Sequence, residues 1–256
     1  GTVPLYTARP NQVWPADFKG HFKLATGQYC YPLTITDHYS RKLLACVALP
    51  STRTDATMAA FRTLFRAGGL PDAIRTDNGA PFASRGLRGL TPLNVSWLQL
   101  GIVHQRIRPA SPQQNGQHER MHRDLKREAT RPPASTLRAQ QRTFDRFRRR
   151  FNNERPHDAL AGAVPSERWH PSPRAYPERR PTPEYPAHLD VHTVNSAGTV
   201  RLHRRDIFVS TALSGEPIAL EEVDDGIWNV VYYTTLLAKI DERQAHGTLI
   251  KFGDWR

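Results

Sequence analysis

The sequence has little cysteine and no long apolar run. Its two cysteines, Cys30 and Cys46, stand in strand-like stretches of a 256-residue chain, and no Cys/His spacing suggests a zinc site. We expect both to be buried free thiols in a reducing compartment. No stretch of about 18 apolar residues exists, which excludes a transmembrane helix, and no signal peptide is visible. The chain begins at Gly1 rather than Met, and we expect a processed or shortened chain.

Acidic residues are the minority, and charge is distributed unevenly. The formal net charge is +12, and residues 120–155 hold twelve Lys and Arg against four Asp and Glu. Residues 187–256 hold seven Lys and Arg against ten Asp and Glu. From Arg142 to Arg150 cations outnumber acids five to one, which is too one-sided for an ordinary solvated helix. Such a patch attracts a phosphate backbone and gives salt-dependent affinity. The composition therefore indicates a nucleic-acid partner and no membrane.

The stretch Ser111–Ala129 predicts a loop that enters a helix, with Ser111 as N-cap and Pro112 as the first helical residue. One face carries an acid and two cations at helical spacing, namely Glu119, Arg123 and Lys126. An apolar face follows at intervals of four residues, with Met121, Leu125 and Ala129. Taken alone, this pattern is equally typical of an ordinary surface helix.

Two further carboxylates stand in or after strand-like runs. Asp17 interrupts an aromatic run, and Asp77 follows the short strand Ala73–Thr76 at a tight turn. An aspartate at a strand end is often only a turn former. Three clustered carboxylates, however, repel each other unless a multivalent cation neutralises them. Hard oxygen ligands select Mg²⁺ or Mn²⁺, and a two-metal site can clamp both oxygens of an in-line phosphoryl displacement.

Five segments occur in a fixed order: WPADFKG (Trp14–Gly20), LTITDHYSRKLLA (Leu33–Ala45), RTDNGAPF (Arg75–Phe82), SPQQNGQHERMHRDLK (Ser111–Lys126) and FNNERPHDAL (Phe151–Leu160). Together they resemble the catalytic region of a DDE transposase of the retroviral-integrase type, as found in bacterial insertion sequences. The resemblance implies an α/β, RNase H-like fold and two Mg²⁺ ions, for which Mn²⁺ can substitute. It also implies that Asp17, Asp77 and Glu119 are the catalytic metal ligands.

The resemblance further implies DNA cleavage and strand transfer, in the bacterial cytoplasm at the nucleoid. The partners would be transposon ends, target DNA and further copies of the chain, in a dimer or tetramer. Candidate DNA-contacting residues are Lys19, Asn78, Gln113, Asn115, Gly116, Arg123 and Lys126. We expect His118 and His122, which flank Glu119, to face DNA or solvent, because the family pattern uses only the three acids. Asp37 is expected to serve a turn or cap.

The chain departs from the retroviral spacing between the second and third acids, which lie 42 positions apart. We expect the extra length to form a Gly- and Pro-containing connection at Ser84–Leu98. The sequence pattern predicts that the whole chain has four parts. They are an arm at 1–12, the RNase H-like domain at 13–164, a proline-rich linker at 165–186 and a small β-barrel at 187–256.

The barrel's acidic balance favours assembly over DNA binding as its role. Three alternatives to a transposase remain at this point. A structure-selective nuclease on the same fold would cut DNA without joining ends. A domesticated DNA-binding protein would have lost catalysis, and an assembly subunit would rely on a partner's active site.

Overall fold

The computed structural model describes residues 7–84, 86–107, 116–244 and 248–250. Its helices are α1 (Thr54–Gly68), α2 (Pro92–Gln99), α3 (Gly116–Ala129) and α4 (Leu137–Asn153). The strands up to the third helix are β1 (Val13–Phe18), β2 (Phe22–Lys23), β3 (Tyr29–Thr36), β4 (Leu43–Leu49), β5 (Ala73–Thr76) and β6 (Val103–Arg106). The later strands are β7 (Asp190–Thr193), β8 (Thr199–Leu202), β9 (Arg205–Phe208), β10 (Pro217–Asp224), β11 (Ile227–Tyr232), β12 (Thr235–Asp241) and β13 (Thr248–Ile250). No helix within these ranges is both long and apolar enough to span a bilayer.

The chain divides into two compact units, and the first comprises Gly1–Pro81 and Gly101–Glu178. Its sheet has the order β4-β3-β1-β5-β6, and β2 pairs with the start of β3. Strands β1, β5 and β6 run parallel, whereas β3 runs antiparallel to both β1 and β4. With its helices, this unit confirms the predicted mixed α/β class.

Helices α3 and α4 share a hydrophobic core with β3 and β4. The predicted apolar residues of α3 are all buried: Met121, Leu125 and Ala129. They belong to one cluster with Phe144, Phe147 and Phe151 of α4 and with Cys30 and Cys46 of the sheet. Both cysteines are buried and free, as predicted, and burial raises the pKa of the Cys30 thiol to about 12. This packing fixes α3 to the sheet.

The second unit joins Phe82–Leu100 to the C-terminal residues Arg179–Arg256. Its strands form an antiparallel sheet in the order β13-β12-β11-β10-β7 and a separate hairpin, β8-β9. A closed barrel is not formed by hydrogen bonds between the described strands, so only an antiparallel β module is established. The inserted residues Leu87, Leu90 and Val95 are buried in the core of this module.

The segment predicted as a connection therefore has a structural role. Thr91 caps α2 through a reciprocal pair of bonds with Asn94, and Pro92 opens the helix. At the other end Gln99 Nε2 donates to Glu216 Oε1 at 2.8 Å and to the Tyr232 hydroxyl at 3.0 Å. The apolar residues and this buried hydrogen bonding together make residues 82–100 part of the C-terminal module.

The first half of the predicted linker is bound to the first unit. Trp169 Nε1 donates to Asn11 Oδ1 at 2.9 Å, and the Leu70 N–H donates to the Arg174 carbonyl at 2.7 Å. The boundary between the units consequently falls later than the predicted start of the linker. Backbone groups of the first unit account for this difference, because they need partners that the proline-rich stretch supplies.

Candidate active site

Two of the predicted acids lie at the ends of two paired strands. Strand β1 pairs in parallel with β5 so that Pro15 lies opposite Arg75. Asp17 is the fifth residue of β1, and Asp77 directly follows β5. Both aspartates therefore lie towards the C-terminal ends of two neighbouring parallel strands.

Helix α3 brings the third acid to the same strands. Thr34 on β3 lies opposite Asp17, and its hydroxyl is 2.8 Å from His118 Nε2 and 2.7 Å from His122 Nε2. These histidines stand one residue before and three residues after Glu119, which is exposed in the first described turn of α3. The helix start is therefore fixed over the strand that neighbours Asp17.

The expectation that His118 and His122 face DNA or solvent was wrong. Only 3% and 4% of their respective surfaces are exposed. Burial lowers the pKa of His118 to about 4, and burial, then His118 and Lys19, lower that of His122 to about 2. Both rings are consequently neutral. They share Thr34 as a partner, which sequence spacing could not reveal.

The hydrogen bonds of Thr34 define how this cluster is organised. Its hydroxyl donates to the Asp17 carbonyl at 3.1 Å, which leaves the oxygen to accept from both imidazoles. His118 Nδ1 then accepts from the Thr36 hydroxyl at 3.3 Å. His122 Nδ1 lies 3.9 Å from Asp17 Oδ2, which is beyond hydrogen-bond distance, so the histidine pair is connected to the first acid through Thr34.

Asp77 also shapes the turn in which it lies. Its Oδ1 accepts from the Gly79 N–H at 3.0 Å, and a Cβ at Gly79 would come within 3.2 Å of Oδ2. Asn78 fixes the same turn to the neighbouring strand, since its Nδ2 donates to the Ile107 carbonyl at 2.9 Å. Its Oδ1 accepts from Arg106 Nε at 2.7 Å. The turn is thus held from both sides.

Asp37 serves a turn, as expected. It is buried, and its carboxylate accepts from the Asn11 N–H and from both the N–H and the hydroxyl of Ser40, each at 2.7 Å. Burial raises the pKa of Asp37, and these hydrogen bonds oppose the rise. These three partners all belong to turns and loops of the first unit.

The donor set fits a hard divalent cation in chemistry, because all three acids offer carboxylate oxygens. Within the described ranges, however, no three His, Cys, Asp or Glu side chains lie close enough together to hold a metal ion. The described geometry puts Asp17 near the end of β1, Asp77 directly after the paired strand β5, and Glu119 in the first described turn of α3. It does not establish a formed metal centre.

Several predicted DNA contacts lie on the surface around these acids. Arg123 and Lys126 are exposed on α3, and their side chains make no hydrogen bond or ion pair with other described residues. Lys19 is partly exposed after β1. Gly116 is the first residue of α3 in the described chain. Gln113 and Asn115, like the predicted cap Ser111 and the predicted first residue Pro112, lie outside the described residues.

A mixed sheet in the order β4-β3-β1-β5-β6, with acids on β1, after β5 and on α3, defines the class of integrase-like α/β domains. Family models support this directly. Two models, both described as "Integrase core domain", match residues 7–112 and 100–165, and together they cover more than half of the chain. The chain therefore belongs to the integrase core family and is DDE transposase/integrase-like.

Two relatives come from bacterial insertion elements. The IS476 uncharacterized 39.2 kDa protein of Xanthomonas euvesicatoria is 30% identical over 168 residues, which are 64% of this chain and 45% of that protein. The IS407 uncharacterized 31.7 kDa protein of Burkholderia multivorans is 29% identical over 159 residues, 62% of this chain and 55% of that protein. The chain spans about half the length of these relatives.

Solved structures support the fold. The HTLV-2 integrase catalytic core domain in complex with magnesium has a TM-score of 0.51 at 18% identity, covering 64% of this chain and 100% of that chain. A chain from the simian T-cell lymphotropic virus intasome in complex with PP2A regulatory subunit B56 gamma has a TM-score of 0.53 at 17% identity, covering 90% of this chain and 79% of that chain. The first unit thus has the RNase H-like fold that the resemblance implied.

Proposed function

We propose that this chain is the catalytic part of a DDE transposase that cleaves DNA at the ends of a mobile element and joins those ends to target DNA. The observation that carries the proposal is the parallel pairing of β1 with β5, with Asp17 near the end of β1, Asp77 directly after β5, and Glu119 on the helix that is bonded to Thr34. Membership of the integrase core family and relatives encoded by insertion elements support it. Both relatives are bacterial, so the proposed place of action is the bacterial nucleoid.

Two Mg²⁺ ions, or Mn²⁺ in their place, are the proposed cofactors. Asp17, Asp77 and Glu119 would hold these ions. Bound metal would supply Lewis-acid stabilisation and a nucleophile at neutral pH. That the HTLV-2 neighbour is a magnesium complex supports this choice of cation.

The proposed reaction has two in-line displacements. In the first, a water oxygen forms a bond to phosphorus at the element end, and the bond to the 3′ oxygen breaks to free a 3′-hydroxyl. In the second, that hydroxyl attacks a target phosphodiester and displaces another 3′ oxygen. Because both steps develop charge at a pentacoordinate phosphorus, one cluster of carboxylates serves both.

The remaining residues would bind and orient DNA. Arg123 and Lys126 project from the helix that carries Glu119, and Lys19 and Asn78 follow the two strands that carry the aspartates. Gln113, Asn115 and Gly116 are further proposed DNA contacts. Replacing Lys126 with Ala should lower the salt slope of binding by about 1.

The C-terminal module is proposed to complete a small barrel and to serve assembly. Strand β8 lies beside β7 and β9 lies beside β13, so the hairpin adjoins both edge strands of the larger sheet. The acidic balance of residues 187–256 argues against strong nonspecific DNA binding. A dimer or tetramer would let two element ends be joined together.

A joining assay tests the proposed function. The full chain would be incubated with Mn²⁺, a pre-cleaved candidate end and a plasmid target, beside its Asp77→Asn and Glu119→Gln forms. We expect joined products with the wild-type chain only, while both variants still bind DNA, because each loses a ligand charge but keeps its shape. Cleavage without joining would identify a nuclease instead, and robust joining by Glu119→Gln would refute the proposed triad.

A further inference from the structure

The inner face of α4 packs against the sheet and α3 of the first unit. Phe144, Phe147 and Phe151 are buried in the core shared with α3 and the sheet. On the same side, Gln141 and Asn152 hydrogen-bond to the backbone of β4. The helix cannot rotate without breaking these contacts, so its opposite face is held outward.

That outer face carries a row of arginines. Four exposed residues follow at intervals of four, four and three positions: Arg138, Arg142, Arg146 and Arg149. Such spacing places them on one side of a helix, along about 16 Å of its axis. We call these four residues the arginine row.

The arginine row is scarcely neutralised by the protein itself. The side chains of Arg138, Arg142 and Arg149 make no hydrogen bond or ion pair with any residue in the described ranges. Arg146 donates only to the Thr143 hydroxyl, at 3.2 Å. Asp145 is the single acid in the sequence of α4, and it is 4.0 Å from Arg148, outside the row.

A basic cavity adjoins the end of the arginine row. Three cations, Lys42, Arg148 and Arg149, line it together with one acid, Asp145, and its volume is about 630 Å³. Lys42 Nζ lies 4.0 Å from the centre of the Trp169 ring. Burial and then Arg148 lower the pKa of Lys42, which shows that cations are crowded here. An anion in the cavity would relieve that repulsion.

We propose that the arginine row and the adjoining cavity bind the phosphate backbone of duplex DNA, as a surface additional to the α3 residues of the active site. Over about 16 Å of its axis, each strand of duplex DNA presents roughly five phosphates. Guanidinium groups suit phosphate because their donors form a planar fork. A protein partner would instead have to bury several unpaired cations, which is costly.

The inference rests on the proposed action on DNA, and the salt dependence of binding tests it. The full chain and a variant carrying Arg138→Gln, Arg142→Gln, Arg146→Gln and Arg149→Gln would be titrated with a duplex of about 30 base pairs, between about 50 and 300 mM KCl, by fluorescence anisotropy. Each phosphate contact contributes about 0.9 to the slope of log K against log salt, so we expect a slope smaller by about 3 to 4.

Two matched variants separate a DNA contact from a general loss of charge. The same four positions changed to Lys keep the charge and should keep the slope. Four exposed arginines outside α4, changed together to Gln, should leave most of the slope in place: Arg179, Arg180, Arg201 and Arg204. Circular dichroism should show equal helix content throughout, because all the changed side chains are exposed.

The outcomes distinguish this inference from the proposed function. A wild-type slope in the row variant, or an equal loss in the control outside α4, would overturn the inference alone. A wild-type chain that does not bind duplex DNA would overturn both. The row variant could lose salt dependence while neither the wild-type chain nor Asp77→Asn joins DNA ends. That result would support DNA binding by the arginine row and refute the proposed transposase reaction.

Discussion

Thr34 is the residue on which the arrangement of the candidate site depends. One hydroxyl bonds to the Asp17 carbonyl and to two buried imidazoles, which lie 84 and 88 positions further along the chain. A valine has nearly the same shape but lacks the hydroxyl. Its introduction would leave His118 and His122 buried without their shared acceptor, directly beside Glu119.

We expect Thr34→Val to lower the free energy of unfolding by about 1 to 3 kcal/mol, the usual cost of leaving buried polar groups unpaired. Urea denaturation followed by circular dichroism would measure it. Thr63→Val, at an exposed position of α1, is the control and should change stability by less than about 0.5 kcal/mol. Equal effects of the two changes would mean that the hydroxyl of Thr34 is not an essential partner.

Two other histidines, the buried His38 and the half-buried His104, predict a pH dependence. Burial, then Arg106, lowers the pKa of His104 to about 4, and burial, then Arg75 and Arg41, lowers that of His38 to about 4. An unfolded histidine has a pKa of about 6.5. The unfolded chain therefore binds protons first, so stability is retained above about pH 6.5 and falls as the pH drops towards 4.

Replacing His104 with Gln should remove part of this dependence. Between about pH 6.5 and 4, one such histidine changes the unfolding free energy by up to about 1.4 kcal/mol per pH unit. We expect the free energy of unfolding of His104→Gln to fall less steeply with acidification than that of the wild-type chain. His188→Gln, at an exposed position, should follow the wild-type curve, and a parallel curve for His104→Gln would contradict the prediction.

Some residues of the candidate site could be predicted from the sequence, and the surroundings of others could not. The order of three acids within matching motifs pointed to Asp17, Asp77 and Glu119, because each motif is local in sequence. The burial of His118 and His122 depends on Thr34, far away in sequence, and the charged neighbours of Glu119 suggested an exposed face instead. A threonine on a buried strand gives no signal of its own.

Among the elements, α4 protects an exposed strand edge. Among the described strands, β4 pairs only with β3, so no strand lies along its other edge. On its other side Asn152 accepts from the Leu43 N–H at 2.9 Å and donates to the Leu43 carbonyl at 3.0 Å. Gln141 does the same for Ala48 and Cys46. Side chains of a helix thus replace a neighbouring strand, which guards against edge-to-edge association.

We expect Asn152→Ala to cost about 1 to 3 kcal/mol, because both backbone groups of Leu43 lose their partner in a buried place. Loss of the hydrogen bonds from Asn152 to the edge of β4 should also promote self-association through that edge. Urea denaturation and light scattering would measure the two effects. Asn153→Ala, at the exposed neighbouring position, should change neither by much; similar behaviour of both variants would exclude this role for Asn152.

Periodicity located the elements well because each has a local signal. The apolar spacing of α4 and its cap Thr136, which accepts from the Ala139 N–H, follow from adjacent residues. The edge contacts do not, since glutamine and asparagine on a basic helix look like solvent-facing residues. The same limit affected the predicted connection Ser84–Leu98, where glycine and proline indicated a loop, although its apolar side chains are buried in the core of the C-terminal module.

At the scale of the whole molecule, the chain order and the compact units do not coincide. The C-terminal module takes residues 82–100 from between Asp77 and Glu119. Leu87, Leu90 and Val95 are 3%, 8% and 4% exposed within its core. The domains predicted along the sequence are contiguous, whereas the second unit is not, because its core is completed by a segment remote in sequence. A cut at residue 186 therefore leaves part of one unit attached to the other.

We predict that the fragment 1–186 aggregates or binds a hydrophobic dye, because the apolar side chains of residues 82–100 lose the strands that bury them. A second fragment ends at the same residue but has residues 83–99 replaced by a short Gly/Ser loop. It should remain monodisperse in size-exclusion chromatography and keep a cooperative unfolding transition. If fragment 1–186 were equally monodisperse and bound no more dye than the loop-replaced form, residues 82–100 would not depend on the C-terminal strands. The expected result would instead show that removing the C-terminal module alone disturbs the segment that joins the second acid to the third.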